Sequence, residues 1–172
     1  MKSLGPRTRG VMAGAIESAL PRTRSNRKLT AMPIAPEHRS AIHDLVAEFA
    51  WRVDHNDGVG VENLFTEHGT YDMAGWVISG REDIKHFYDD RRARGPRTSR
   101  HLFTGLRLTA NDDAITGISV LTLHAEQGAP PLRLDPVLVA DYSDTYVRDE
   151  DGRWRFGNRA VTPLFLRDVP NP

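Results

Sequence analysis

The chain has 172 residues, enough for one domain with a sizeable core, and an ordinary globular composition of 39% hydrophobic and 27% charged residues. Its 23 Lys and Arg balance 23 Asp and Glu, so no global field draws it to nucleic acid or a membrane surface. Cysteine is absent, which excludes disulfides, thiolate zinc sites and a Cys nucleophile and fits a cytoplasmic setting; no apolar run approaches the roughly 20 residues that span a bilayer.

The charge is unevenly spread. Residues 1–31 carry a net +6 and the remainder −6. This basic segment shares its Arg-rich, acid-poor composition with organelle transit peptides, but Val11–Leu20 is too short and interrupted for a signal-peptide core. The expectation is a disordered basic extension over residues 1–34, or an upstream start with Met32 as the functional one. A nucleic-acid-binding arm would need interleaved aromatics, which the segment lacks.

Order is expected from residue 35 to residue 168. After Pro36, Ile42, Leu45, Val46, Phe49 and Val53 recur at spacings of three and four, which predicts a helix to about His55, stopped by Asn56-Asp57-Gly58. A short second helix is expected from Val59 to Phe65, then short strands at Thr70–Met73 and Trp76–Ile78. A third helix is expected from Arg81 to Arg94, with Gly95-Pro96 ending it. The rest reads as four long strands: 100–109, 114–126, 137–148 and 153–165, with turns at Asn111-Asp112-Asp113 and 149–152. Helices first and long strands last give an α+β order, and the short turns give an antiparallel meander. The economical packing is a cone: a curved antiparallel sheet with the N-terminal helices on its concave face and a cavity between them.

Several residues qualify for chemistry. Asp54 shares a helical stripe with Ala47, Ala50 and Trp51, which aims it inward; the competing reading is a solvated side chain in the last turn. His101 begins one long strand and His124 ends the next. If those strands pair about residues 112–113, the two histidines fall nearly opposite each other; a bulge would break that register. Tyr71 offers a proton-donating hydroxyl, or is simply a core tyrosine. Trp51, Trp76, Phe87, Tyr88 and Phe103 either line a cavity or fill the core. Of Arg155 and Arg159, one could face inward to hold an anion or oxyanion. The usual metal-ligand spacings, a Gly-rich phosphate loop and a Ser nucleophile elbow are all missing, so neither a metal nor a cofactor is expected.

A set of short motifs in order carries a family resemblance: Ile42-His43-Asp44-Leu45 with Val53-Asp54 and Asp57, Leu64-Phe65-Thr66-Glu67-His68-Gly69, Ser79-Gly80-Arg81-Glu82-Asp83-Ile84, Ser99-Arg100-His101, and Tyr142-Ser143-Asp144-Thr145-Tyr146 followed by Asp151-Gly152-Arg153-Trp154-Arg155 and Arg159. Over residues 37–166 the chain resembles the SnoaL-like branch of the nuclear transport factor 2 superfamily. The resemblance implies the same cone, commonly dimerised through the outer sheet face. It also implies kinship with polyketide cyclases, scytalone and bile acid dehydratases, a dehydrochlorinase and ketosteroid isomerases.

On that resemblance, Asp54 and His101 match a dyad inside the pocket, His124 matches a second pocket histidine and Tyr71 a catalytic tyrosine. Phe49, Trp51, Trp76, Tyr88, Phe103 and Arg159 become candidate substrate contacts. Phe49 stands where several relatives place Tyr or Lys, so the dyad carries over while the substrate does not. The implied activity is that of a cofactor-independent lyase or isomerase acting on a small, apolar, oxygenated molecule, with His101 as base, Asp54 as its orienting partner and His124 or Tyr71 as acid. A homodimer, with no nucleic-acid or membrane partner, completes the expectation. A non-catalytic binding or assembly module on the same fold, and a hydrolase with Asp54 activating water, are the rival readings.

Overall fold

A computed structural model describes residues 33–111 and 114–168. The expected basic extension lies outside them except for Pro33 and Ile34, and Ile34 already packs against the core. Among the described residues no helix is long and apolar enough to cross a membrane.

Helix α1 spans Pro36–His55, with Pro in its first turn, Glu37 beside its N-terminal dipole and Arg52 and His55 beside its C-terminal one. It buries the five residues whose spacing predicted it: Ile42, Leu45, Val46, Phe49 and Val53. It stops where expected. Asp57 and Gly58 adopt positive φ, and a Cβ on Gly58 would lie 2.1 Å from the Tyr88 ring, so only glycine fits there.

The expected second helix is only a 3-10 turn, Val61–Leu64, because Phe65 already opens a strand. Strands β1 (Phe65–Met73) and β2 (Trp76–Ser79) form a hairpin, and α2 runs over Gly80–Ala93. Strands β3 (Arg97–Ala110), β4 (Ile115–Gln127), β5 (Leu138–Arg148) and β6 (Trp154–Leu166) follow as a meander. The tip of the β3–β4 hairpin, residues 112–113, lies outside the described residues.

The six strands make one curved, unclosed sheet in the order β2-β1-β6-β5-β4-β3. One pair departs from the antiparallel expectation: β1 and β6 run parallel. The chain leaves β1 through β2 and α2 to the opposite edge and returns through the meander, so its last strand closes beside its first. Strand β3 is left as a free edge, with α1 packed against it and against β6.

Two of the sheet's register shifts decide which side chains of β3 and of the middle of β6 face inward. In β3 the register shifts between Thr104 and Arg107, around Gly105 at φ +65°. In β6 it shifts at Gly157, between the Tyr146–Phe156 and Thr145–Asn158 pairs. Each inserts one residue and inverts the alternation beyond it. His101 and Phe103 therefore share the inner side with Leu106 and Leu108, and Phe156 shares it with Arg159.

Candidate active site

Asp54 sits in the last turn of α1, on the stripe with Ala47, Ala50 and Trp51, and all four line one cavity of about 470 Å³ between α1 and β3. The facing wall is β3, which contributes Arg100, His101, Phe103, Thr104 and Leu106. The Asp54 and His101 side chains are only 5% and 9% exposed, so the pair is shielded from bulk water but reaches the cavity.

Three donors satisfy the Asp54 carboxylate. His101 Nδ1 lies 2.6 Å from Oδ1, the His101 backbone N–H donates to Oδ2 at 2.7 Å, and the Ser99 hydroxyl donates to Oδ1 at 2.7 Å. Burial alone would push this carboxyl up. The hydrogen bond and charge of His101, its backbone N–H and the Ser99 hydroxyl outweigh that, and hold the carboxyl below its ordinary value. An ionised carboxylate at Nδ1 fixes the tautomer that carries its proton there, leaving Nε2 with the lone pair. Phe49 stands edge-on to the imidazole and Phe103 stacks beside it, with centroids 6.4 and 6.3 Å away. The ring is thus oriented by a carboxylate at one end and by aromatic walls at its sides.

Ser99 is the member of this hydrogen-bonded cluster that sequence reasoning passed over. Its signal was present: two residues before His101 on one strand, it shares the inner face, and it is 2% exposed. Arg91 of α2 lies behind it, with Nη2 at 3.5 Å from both the Ser99 hydroxyl and the Val53 carbonyl.

The other candidates are placed elsewhere. His124 pairs with Arg100, and His101 pairs with Leu123, because the Gly105 bulge shifts the hairpin by one residue. His124 therefore leaves the sheet on the opposite face, in a smaller recess beneath residues 132–135. Tyr71 is a core residue. It packs edge-on against Phe49, and burial raises its phenol above the ordinary value, only partly offset by the Tyr142 hydroxyl and the Arg159 charge. Tyr88 is buried against Gly58, and Phe49 is fully buried behind His101 rather than on the cavity wall. Trp76 is 60% exposed on β2, packed on Phe87 and away from the cavity. Of the six expected substrate contacts, Trp51 and Phe103 line the cavity; Trp51 stacks on His55 at 4.2 Å.

Arg159 faces inward, as one of the two arginines was expected to, but it meets protein rather than the cavity. It is fully buried and bonds Asp144 through Nε and Nη2 at 3.0 and 2.9 Å, while Tyr146 donates to the same carboxylate at 2.8 Å. The faces of Phe49, Tyr142 and Phe156 surround its guanidinium at 4.1–4.3 Å, which accounts for a third nitrogen, Nη1, that has no hydrogen-bond partner. Among the described residues no three His, Asp or Glu side chains cluster as metal ligands.

Residues 36–160 match the model of the SnoaL-like domain, which covers most of the chain. The protein belongs to the SnoaL-like family. No curated protein matches it. Among solved structures, the SnoaL-like chain is similar to a protein of unknown function from Mycobacterium tuberculosis, at 27% identity and TM-score 0.65, covering 79% of this chain and 82% of that one. It also shares its fold with ActVI-ORFA from Streptomyces coelicolor, at 20% identity and TM-score 0.66, covering 80% of this chain and all of that one. A third neighbour, from Novosphingobium aromaticivorans and provisionally named a scytalone dehydratase, has 20% identity and TM-score 0.67, covering 79% of this chain and 90% of that one. Other neighbours are described as having a cystatin-like fold.

Proposed function

We propose that this SnoaL-like protein is a cofactor-independent lyase or isomerase, of dehydratase or cyclase type, acting on a small, apolar, oxygenated molecule. The observation that carries the reading is the 2.6 Å contact between Asp54 and His101 on the wall of a cavity that is otherwise mostly apolar. The neutral imidazole takes a proton through Nε2 from a carbon next to a carbonyl, and Asp54 offsets the charge that the ring acquires. In a dehydration the C–H pair becomes the new C=C bond, the C–O bond breaks, and the proton held by His101 leaves with the hydroxyl as water. In an isomerisation the same proton returns to a different carbon.

His101 serves as both base and acid in this reading, since Tyr71 is sealed in the core and His124 lies across the sheet. The rival binding-module reading expected the dyad residues not to meet or the pocket to be collapsed. We also propose a homodimer: Leu102, Ile118, Val120 and Phe165 share the outer face of the sheet and are exposed. Sedimentation velocity tests that assembly, and a monomer at all concentrations rejects it.

The chemistry is tested by exchange of the acidic C–H for deuterium, followed by NMR in heavy water across a panel of cyclic β-hydroxyketones. The wild type should catalyse exchange with at least one of them, and a folded His101→Ala variant should not. Exchange that survives in that variant rejects His101 as the base.

A further inference from the structure

Resting on the proposed lyase or isomerase reading, we infer that the cavity takes an amphiphilic organic anion, with the guanidinium of Arg100 as the subsite for a substrate carboxylate.

The cavity wall carries one guanidinium, Arg100, and one carboxylate, Asp54, beside the imidazoles of His43, His55 and His101. Both Asp54 oxygens already accept bonds from Ser99 and His101, and Arg100 reaches Asp54 only at its backbone carbonyl, so the guanidinium is not paired with that carboxylate. The remaining floor, Val46, Ala47, Ala50, Phe103 and Leu106, is apolar. A ligand that suits this wall has an apolar body and one anionic end.

Arg100 is placed to receive that end. Its register partner His124 puts it on the outer face of β3, but β3 is a free edge. The side chain reaches round that edge to the last turn of α1, where Nη1 donates to the Ser99 carbonyl at 2.6 Å and to the Asp54 carbonyl at 3.4 Å. Two neutral carbonyls hold the group in place without cancelling its charge. Among the described residues Arg100 makes no ion pair, whereas Arg52, Arg92 and Arg155 all meet carboxylates.

Among the described residues the Nε–Nη2 edge of Arg100 makes no hydrogen bond, and its two parallel N–H donors match the two oxygens of a carboxylate. Because Arg100 and His101 line the same cavity, an anion held at the guanidinium brings the carbons near its carboxylate towards the dyad. The arginine that sequence reasoning offered for anion binding, Arg159, is already committed to Asp144 inside the core.

The test uses 2-naphthoate and its neutral isostere 2-naphthamide, titrated calorimetrically into the full chain and followed by the imidazole NMR signals of His101. The expected result is that the anion binds about tenfold or more tightly than the amide. Arg100→Gln should erase the preference while the amide still perturbs His101, and Arg100→Lys should keep part of it. Equal binding of the two probes, or a preference that survives Arg100→Gln, overturns the anion subsite and leaves the catalytic reading standing. Failure of both probes to reach His101 overturns the cavity as a small-molecule site, and the catalytic reading with it. Arg100→Gln retains an N–H donor for the two carbonyls, and its unfolding midpoint separates loss of binding from loss of fold.

Discussion

Two carboxylates are withdrawn from water in this protein, and they are put to different uses. Asp144 is sealed between Arg159 and Tyr146 in the middle of the sheet, with both partners fully buried. Asp54 is gripped by Ser99 and His101 at the edge of the sheet, where a cavity opens beside it. Each carboxylate accepts three hydrogen bonds, so neither is left unsatisfied. They differ in the principal partner and in access. Burial would push the Arg159 guanidinium down, but Asp144 more than reverses that and holds it above its ordinary value, so it keeps its proton at any working pH. A pair that cannot exchange a proton and cannot meet a ligand is architecture. Replacing the arginine by a histidine and opening one side gives the same buried-carboxylate motif the parts that the proposed acid–base reaction needs.

Substitutions test that contrast directly. The largest effect is expected at His101, where Ala should lower turnover by about 10²–10⁴-fold. Its unfolding free energy should change far less, and near-wild-type turnover in a folded variant would erase the distinction between the two sites. At Arg159 the pattern reverses. Arg159→Met strands a buried carboxylate and should cost about 3–5 kcal/mol in urea unfolding. The double variant with Asp144→Leu should recover much of that loss, because an apolar pair of similar volume removes the stranded charge. A single variant as stable as the wild type would show that the core pair is not a stabilising element.

A smaller effect is expected at Ser99. Ser99→Ala removes one of three donors to the ionised Asp54, worth roughly 1.5–3 kcal/mol, and should raise the carboxyl toward its ordinary value. The Asp54 ¹³Cγ resonance followed against pH reports this; an unchanged midpoint would show that the hydroxyl does not support the dyad.

The smallest effect is the pH dependence that Asp54 confers. Its carboxyl ionises more readily in the folded chain than in the unfolded one, so its stabilisation is fully present above the unfolded value near 3.8 and is lost as pH falls through the lower, folded value. The stability gap between wild type and Asp54→Asn should therefore narrow on acidification below about pH 4. A gap that widens there would contradict a carboxyl held below its ordinary value.

Much of this was legible in the linear chain. The 3.6-residue spacing of Ile42 to Val53 placed α1 and its buried face, and the same period set Asp54 on the stripe that lines the cavity. The long strands were recognisable from β-branched runs between polar turns, and the α+β order followed from their sequence. The one-residue offset that parts His124 from His101 was not, because an ideal hairpin has no way to announce the extra residue at Gly105. A trace of it exists in retrospect. The inward residues change from odd positions, His101 and Phe103, to even ones, Leu106 and Leu108, and Gly105 stands at the change. The same inversion at Gly157 put Arg159 inside and left Arg155 with Asp149 and Asp151 outside.

The aromatic residues show where residue type alone stops. Trp51, Trp76, Tyr88 and Phe103 are equivalent candidates on composition, yet two line the cavity, one is core and one is 60% exposed. Local periodicity determines which face of its own element a side chain takes, since that depends only on backbone geometry. What the face meets depends on strand order, on the free edge at β3 and on two single-residue register shifts, all of which are set by contacts between segments distant in the chain. The sequence by itself therefore determined most of the elements and offered Asp54 and His101 as candidates. The tertiary structure decided that Asp54 and His101 touch, that Ser99 joins them, that Tyr71 and His124 do not, and that Arg100 rather than Arg159 stands beside the open cavity.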